Sequence, residues 1–346
     1  MHKELRHHEI TPPLLSIAIP TYNRAQYLRK LLSLLADQLK DEPRVELIIS
    51  DNQSPDETPM VVEEFIRAGL RCRYIRNPED IGPDGNFLQC YELASGKYLW
   101  IFSDDDLILP GSVATILRYI DGREFDLVYL RQFGFIRDPA ENGYINPQPR
   151  TKEFTSATEF VHVVGLNGDF ALISSILVNK RRVDALPHRP FDEASNTNLL
   201  QLSWVFTALN NFQRGLFVER GLYAVCAATP NRPFDVARIF GVNWHKLAIL
   251  FLDRESEVQE AVLNDQVYSW FPTHWYGLSK AARRTQTAPP HTLMRPLYGA
   301  RPLYWLCVYP LLTLPRLFAG AWLAVLRGIR KVDRAWHAPR TRAHAL

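Results

Sequence analysis

Cysteine is scarce in this 346-residue chain, and the four it has, Cys72, Cys90, Cys226 and Cys307, stand far apart with no Cys-x-x-Cys pair. That spacing argues against a disulfide framework or a cysteine-built zinc site, and reduced thiols in the cytoplasm are the better reading. The opening residues Met1-His2-Lys3-Glu4-Leu5-Arg6 lack the apolar core of a signal peptide, so the catalytic part is expected on the cytoplasmic side. No Gly-x-Gly-x-x-Gly follows the first strand-like run, and neither Gly-x-x-x-x-Gly-Lys nor Gly-x-Ser-x-Gly occurs. Those absences remove a dinucleotide oxidoreductase, a P-loop nucleotidase and a serine hydrolase. The ten histidines form no His-x-x-x-His pair, and a net charge of +3 is too small to argue for nucleic acid as a partner. Repeats and low-complexity tracts are absent too.

What is present is an ordinary globular composition, 47% apolar and 22% charged. Leu14 to Ile19 reads as a buried strand stopped by Pro20, and Ala25 to Leu39 as an amphipathic helix with Leu28, Leu31, Leu32 and Leu35 on one face. Val45 to Ile49, Arg71 to Ile75, Lys97 to Phe102 and Asp126 to Leu130 read as further strands. Helices are expected from Thr58 to Arg67, from the loop Asn77–Asn86 to about Ala94, and from Pro110-Gly111 to about Ile120. Alternation of this kind predicts an α/β fold with a mainly parallel sheet flanked by helices. Beyond about residue 135 the alternation fades. Arg137 to Lys152 reads as a polar loop, Ala171 to Val178 as a strand and Leu199 to Leu209 as a helix.

Three polar clusters end strands: Pro20-Thr21-Tyr22-Asn23-Arg24, Ser50-Asp51-Asn52 and Ser103-Asp104-Asp105-Asp106. In an open parallel sheet, ligands bind outside the carboxyl ends of the strands. If the first and fourth strands are neighbours, all three clusters meet in one crevice. Adjacent aspartates repel and raise one another's pKa unless a cation compensates, and Mg²⁺ or Mn²⁺ takes carboxylates together with diphosphate oxygens. Read singly, the aspartates equally suit a solvated turn before a helix, and Asp51 a turn acid. Gly82, Gly85 and Asn86 precede a helix whose backbone N–H groups could face an anion.

Leu15-Ser16-Ile17-Ala18-Ile19-Pro20-Thr21-Tyr22-Asn23-Arg24 resembles the opening of the family-2 glycosyltransferases. Glu46 to Thr58 resembles that family's second signature, and Ser103 to Asp106 with Pro110-Gly111 its metal-binding segment. The likeness spans about residues 14 to 130. Within the family, the loop from Asn77 to Asn86 is most similar to transferases of bacterial O-antigen assembly, including the abequosyltransferase-like group. The resemblance implies a Rossmann-like GT-A fold and a nucleoside-diphosphate sugar as donor. It implies Pro20, Thr21, Tyr22 and Arg24 at the nucleotide and Asp51 on base or ribose. Asn86 and Asp104 complete the donor site, and Asp105 and Asp106 hold Mg²⁺ or Mn²⁺. Ser103 stands where many members carry an acid, which leaves open which carboxylate serves the metal and which the ribose. The family usually inverts the anomeric centre with an acidic base from the acceptor half. Asp192 and Glu193 are the candidates here, with Asp169 as runner-up, and each also suits a surface acid beside a turn.

The expected organisation is a nucleotide-sugar half over 1–134, an acceptor half over 135–295 and an apolar, basic C-terminal helical segment over 296–346. Leu303 to Leu326 is almost wholly apolar, broken by Pro310, Pro315 and Arg316 and followed by the basic run Arg327, Arg330, Lys331 and Arg334. It fits an interfacial hairpin or amphipathic anchor, a core-packing helix pair, or a membrane span. The basic tail favours peripheral contact with the cytoplasmic face of an inner membrane. The acceptor is then expected to be a sugar or a lipid-linked oligosaccharide of surface polysaccharide. A sugar-nucleotidyltransferase and a non-catalytic scaffold stay as rival readings. The first would show a Gly- and Arg-rich loop after the first strand, which Thr21 to Gln26 lacks.

Overall fold

The computed structural model of the protein describes residues 12–135, 149–167, 170–187, 190–219, 221–226, 235–277 and 288–337. Strand β1 (Leu15–Thr21) is buried along its whole length. Helix α1 (Ala25–Leu39) packs back through Leu28, Leu31, Leu32, Leu35 and Leu39, the 3.6-residue stripe legible in the sequence. β2 (Val45–Asp51), α2 (Thr58–Arg67), β3 (Arg73–Arg76), α3 (Gly82–Leu93) and β4 (Tyr98–Ile101) continue the alternation. Next come β5 (Leu107–Ile108), α4 (Ser112–Ile120), β6 (Leu127–Leu130), β7 (Phe133–Phe135) and β8 (Thr151–Phe154). They are followed by α5 (Ala157–Asn167), β9 (Ile176–Val178), α6 (Lys180–Ala185), α7 (Gln201–Asn210), β10 (Gly215–Val218) and β11 (Tyr223–Cys226). The C-terminal helices are α8 (Trp244–Phe251), α9 (Glu257–Asp265), α10 (Phe271–Gly277), α11 (Pro290–Tyr298), α12 (Tyr309–Thr313) and α13 (Arg316–His337).

Eight strands make one sheet in the order β3-β2-β1-β4-β9-β6-β10-β8, and β5, β11 and β7 make a smaller one. β1 runs parallel to β2 and β4, β2 to β3, and β6 to β10. The first and fourth strands are therefore neighbours, and the sheet is mainly parallel as expected. β9 departs from that pattern, lying antiparallel between β4 and β6, and β8 is antiparallel to β10. The strand expected over Ala171 to Val178 shrinks to its last three residues, because Ile173–Ser175 forms a 3₁₀ turn.

Side chains alternate across the sheet with period two. Ile17, Ile19, Leu47, Ile49, Tyr98 and Trp100 enter one core with α1 and α4, while Ala18, Ile48, Leu99 and Ile101 enter the other with α5 and α7. The C-terminal helices extend this second core through Trp244, Trp270, Tyr298, Tyr304 and Leu323. Trp204, Trp244, Trp270 and Trp275 are all buried, so they pack the core and offer no open face to a sugar. The four cysteines are free thiols.

The apolar stretch from Leu303 to Leu326 is not one helix. Its chain breaks at Leu314 and Pro315, and no helix among the described residues is long and apolar enough to cross a membrane. The span reading is thereby corrected. Tyr304, Cys307, Val308, Leu311, Ala319, Leu323 and Leu326 are buried, as in a core-packing helix pair. Arg330 follows them inward and donates to Ser269 O at 2.8 Å and Thr273 Oγ1 at 2.9 Å.

The β1–β4 pairing depends on Gly96. A Cβ there would lie 2.5 Å from Ser16 Oγ, 2.7 Å from Ser16 N and 2.9 Å from the Leu15 carbonyl carbon. Gly96→Ala is expected to lower unfolding stability by about 1–3 kcal/mol, read from the urea midpoint. An unchanged midpoint would contradict this close approach.

Candidate functional site at the strand ends

The parallel register sets the three clusters side by side. Thr21 pairs with Asp51 across β1 and β2, and Ala18 with Ile101 across β1 and β4, so Asp51 and the aspartate turn emerge on either side of Thr21. Thr21 Oγ1 donates to Asp104 Oδ2 at 2.8 Å. Arg24, at the N-terminus of α1, reaches Asp104 Oδ1 at 3.1 Å and Asp105 Oδ2 at 2.9 Å. Burial opposes its charge, but attraction to Asp104 and Asp105 prevails and raises its pKa. Pro20 and Thr21 are buried and Tyr22 is half-buried beside them.

Asp51 is fully buried. It accepts from Ser54 N at 2.8 Å and from the Tyr74 hydroxyl at 2.7 Å, with Arg76 Nε 3.7 Å away. Burial and the bond to Asp51 raise the Tyr74 phenol well above its usual range. Asn86 is committed to the scaffold: its Oδ1 accepts from Ser50 Oγ at 2.6 Å and its Nδ2 donates to Ser50 O at 3.0 Å, tying α3 to the end of β2. Asn52 ties the same loop, accepting from Asn77 Nδ2 at 3.1 Å and Ile81 N at 3.0 Å.

The three adjacent acids differ. Ser103 Oγ donates to Asp105 Oδ1 at 2.5 Å. Asp105 is the most open, with 13% of its side chain exposed against 4% and 6% for Asp104 and Asp106 as residues. Burial pushes Asp104 to about 6, against the pull of Arg24. Burial likewise pushes Asp106 to about 7, against hydrogen bonds from Ser174 and the Cys226 N–H. Two carboxylates this costly to ionise, beside a third, have the hard oxygen chemistry that a divalent cation takes. Arg24 supplies a single positive charge against them. Among the described residues, the group of three donor side chains close enough to share one ion is His162, Asp333 and His337 on α5 and α13, outside this crevice.

Two positions that the sequence reading did not single out help to build the site. Ser174, in the 3₁₀ turn before β9, accepts from Ser103 N at 2.9 Å, and its carbonyl accepts from Trp100 Nε1 at 2.9 Å. Asp84, in the first turn of α3, accepts from the backbone N–H groups of Thr197 at 2.8 Å, Asn198 at 2.9 Å and Leu200 at 3.4 Å. Its only local signal was the Pro83-Asp84-Gly85 helix start; the loop it clamps lies 113 residues further on. Asn196 and Asn198 in that loop have φ of 62° and 58°, values asparagine tolerates better than most side chains. Asp192 and Glu193 sit just before it, exposed in the turn Phe191–Ala194. Asp169 lies outside the described residues.

Residues 16–181 match the family model for glycosyl transferase family 2. Over 183 residues the chain is 32% identical to abequosyltransferase RfbV of Salmonella typhimurium, covering 50% of this chain and 55% of that one. Over 107 residues it is 34% identical to a Campylobacter jejuni protein, the GalNAc(5)-diNAcBac-PP-undecaprenol beta-1,3-glucosyltransferase, covering 31% and 34%. The matched length is thus about half of the first relative and a third of the second. Among solved structures, S. aureus TarS 1–349 in complex with UDP-GlcNAc aligns with a TM-score of 0.61 at 17% identity, over 93% of this chain and 91% of that one. The Pyrobaculum calidifontis mannosyltransferase PcManGT, in complex with GDP-Man and Mn²⁺, aligns at 0.51 and 14% identity over 95% and 89%. These structural likenesses are of fold, a GT-A-like α/β architecture.

Asp106 gives a pH test. Its folded-state pKa of about 7 lies above the ordinary carboxylate value, so its ionisation costs stability as pH rises through the interval between them. In chelator, Asp106→Asn is expected to gain on the wild type by on the order of 1 kcal/mol or more between about pH 4 and pH 7, read from denaturant midpoints. A pH-independent gap would refute burial as the cause.

Proposed function

We propose, on the premise that the chain carries a glycosyl transferase family 2 domain over residues 16–181, that the protein moves a sugar from a nucleoside-diphosphate sugar to an acceptor hydroxyl with Mg²⁺ or Mn²⁺. The observation that carries this reading is the convergence of Thr21, Arg24, Asp51 and the Asp104–Asp106 turn on one strand-end crevice within the matched segment. The two solved neighbours, which hold UDP-GlcNAc in one case and GDP-Man with Mn²⁺ in the other, support the donor class.

In this reading Pro20, Thr21 and Tyr22 line the nucleoside side, and Asp51, held by Tyr74 and Ser54, receives the base or ribose. Asp105 and Asp106 hold the cation, and Asp104 is oriented by Thr21 and Arg24. When bound, the cation supplies Lewis-acid stabilisation of charge on the departing diphosphate. Arg24 offers a guanidinium fork to the same oxygens. Asp192 or Glu193, with Asp169 as the third candidate, takes the acceptor proton. The acceptor oxygen bonds to the anomeric carbon as the bond to the diphosphate breaks, which inverts the centre.

The acceptor is proposed to be a lipid-linked oligosaccharide of O-antigen type. The Salmonella relative is named an abequosyltransferase, and the Campylobacter relative carries PP-undecaprenol in its name. With this goes peripheral contact with the cytoplasmic face of an inner membrane through the C-terminal region.

The test is sugar-nucleotide turnover with purified protein across a donor panel. Turnover should require Mn²⁺ or Mg²⁺ and fall about a hundredfold or more in Asp105→Ala. Full activity in that variant would overturn the metal role, and no turnover or thermal shift with any sugar nucleotide would overturn the enzyme reading.

A further inference from the structure

Helix α13 carries two apolar faces, and the fold uses one. Ala319, Leu323, Leu326 and Arg330 recur at helical spacing and are buried against the rest of the chain. A second row, Phe318, Val325, Ile329, Val332 and Trp336, lies about a third of a turn round the helix and is open to solvent. Phe318 is 66% exposed, Val332 71% and Trp336 80%. The row runs from Phe318 to Trp336, 18 rises or about 27 Å at 1.5 Å per residue. Leu314 and Leu317 continue the exposed apolar surface at its N-terminal end. Trp322 donates to Leu306 O at 2.8 Å, which joins the half-exposed Leu306 to the same helix. An apolar row of this length is unusual on a soluble surface and marks a place where something docks.

The charges on α13 point to what docks there. The helix carries Arg316, Arg327, Arg330, Lys331 and Arg334 with one acid, Asp333. That acid is spoken for, bonded to His162 at 3.2 Å and to the Tyr268 hydroxyl at 3.0 Å. Arg327, Lys331 and Arg334 are exposed and lie roughly a third to a half of a turn round the helix from the row, where Arg334 also donates to Leu166 O, so the outward charge of α13 is positive. A second copy on this face would bring two net-positive helices together. An anionic bilayer instead takes the apolar row into its acyl boundary while the long basic side chains reach the headgroups.

We infer that the outer face of α13 is a docking surface for an anionic lipid bilayer, with the helix lying in the membrane plane. The inference rests on the proposed lipid-linked acceptor for its purpose and on α13 alone for its evidence. It also relocates the contact. Much of the apolar stretch in the sequence is buried, and the exposed row extends into the segment that reads there as a basic flank.

The experiment is co-sedimentation of the full chain with vesicles of phosphatidylglycerol and phosphatidylcholine, against phosphatidylcholine alone. The wild type should bind the anionic vesicles and lose binding in high salt. Val325→Glu with Val332→Glu should bind about tenfold or more weakly, with an unchanged melting temperature because both sites are exposed. Lys331→Glu should weaken anionic binding alone. Equal binding by the double variant, no binding by the wild type, or a dimer in solution that Val332→Glu dissociates would each overturn the inference. Thermal shift with sugar nucleotides on the same samples keeps the two readings apart. Lost vesicle binding with a retained donor shift sinks only the membrane face, and the reverse sinks only the donor reading.

Discussion

One arginine among buried carboxylates organises the strand-end crevice. Arg24 begins α1, directly after β1, and its guanidinium meets Asp104 and Asp105 at the end of β4. Thr21 completes the link from the strand itself. A pair with its carboxylate side buried is tolerated only when geometry and hydrogen bonds offset the loss of water, and here both conditions depend on β1 and β4 being neighbours. The balance is incomplete, with three adjacent acids and one guanidinium that reaches two of them, and burial raises Asp104 and Asp106 towards neutrality. With all three ionised, the turn carries negative charge that Arg24 alone does not balance.

Around that centre the chain couples distant segments through carboxylates that accept backbone N–H groups. Asp84 clamps the loop behind Asp192 and Glu193, and Asp106 reaches the Cys226 N–H on β11. Ser174 ties the turn before β9 to Ser103. Each contact joins the first 110 residues to a segment beyond residue 170. The proposed donor side is thus braced by the half that would hold the acceptor, which gives a physical route for acceptor-side changes to be felt at the aspartates.

At the C-terminus packing and exposure compete on one helix. α13 has more apolar surface than its neighbours cover, and the stripe that packs is continuous with the main core through Leu323. The remainder, from Phe318 to Trp336, faces outward, and Arg327, Lys331 and Arg334 are exposed further round the same helix.

The sequence by itself determined the elements whose signal is local. α1 and α2 begin and end at the residues that periodicity marks, Ala25 to Leu39 and Thr58 to Arg67, because a 3.6-residue stripe and a first-turn proline are short-range facts. It also marked the three polar clusters, since each sits where an apolar strand stops. Tertiary structure decided what no window of sequence holds. β9 inserts antiparallel between β4 and β6, Asn86 turns to Ser50, Asp84 reaches 113 residues along the chain, and α13 buries one of two similar apolar faces. Those outcomes depend on which surfaces meet across the sheet, and an apolar or acidic side chain is written identically whether it ends in a core, in a clamp or in solvent.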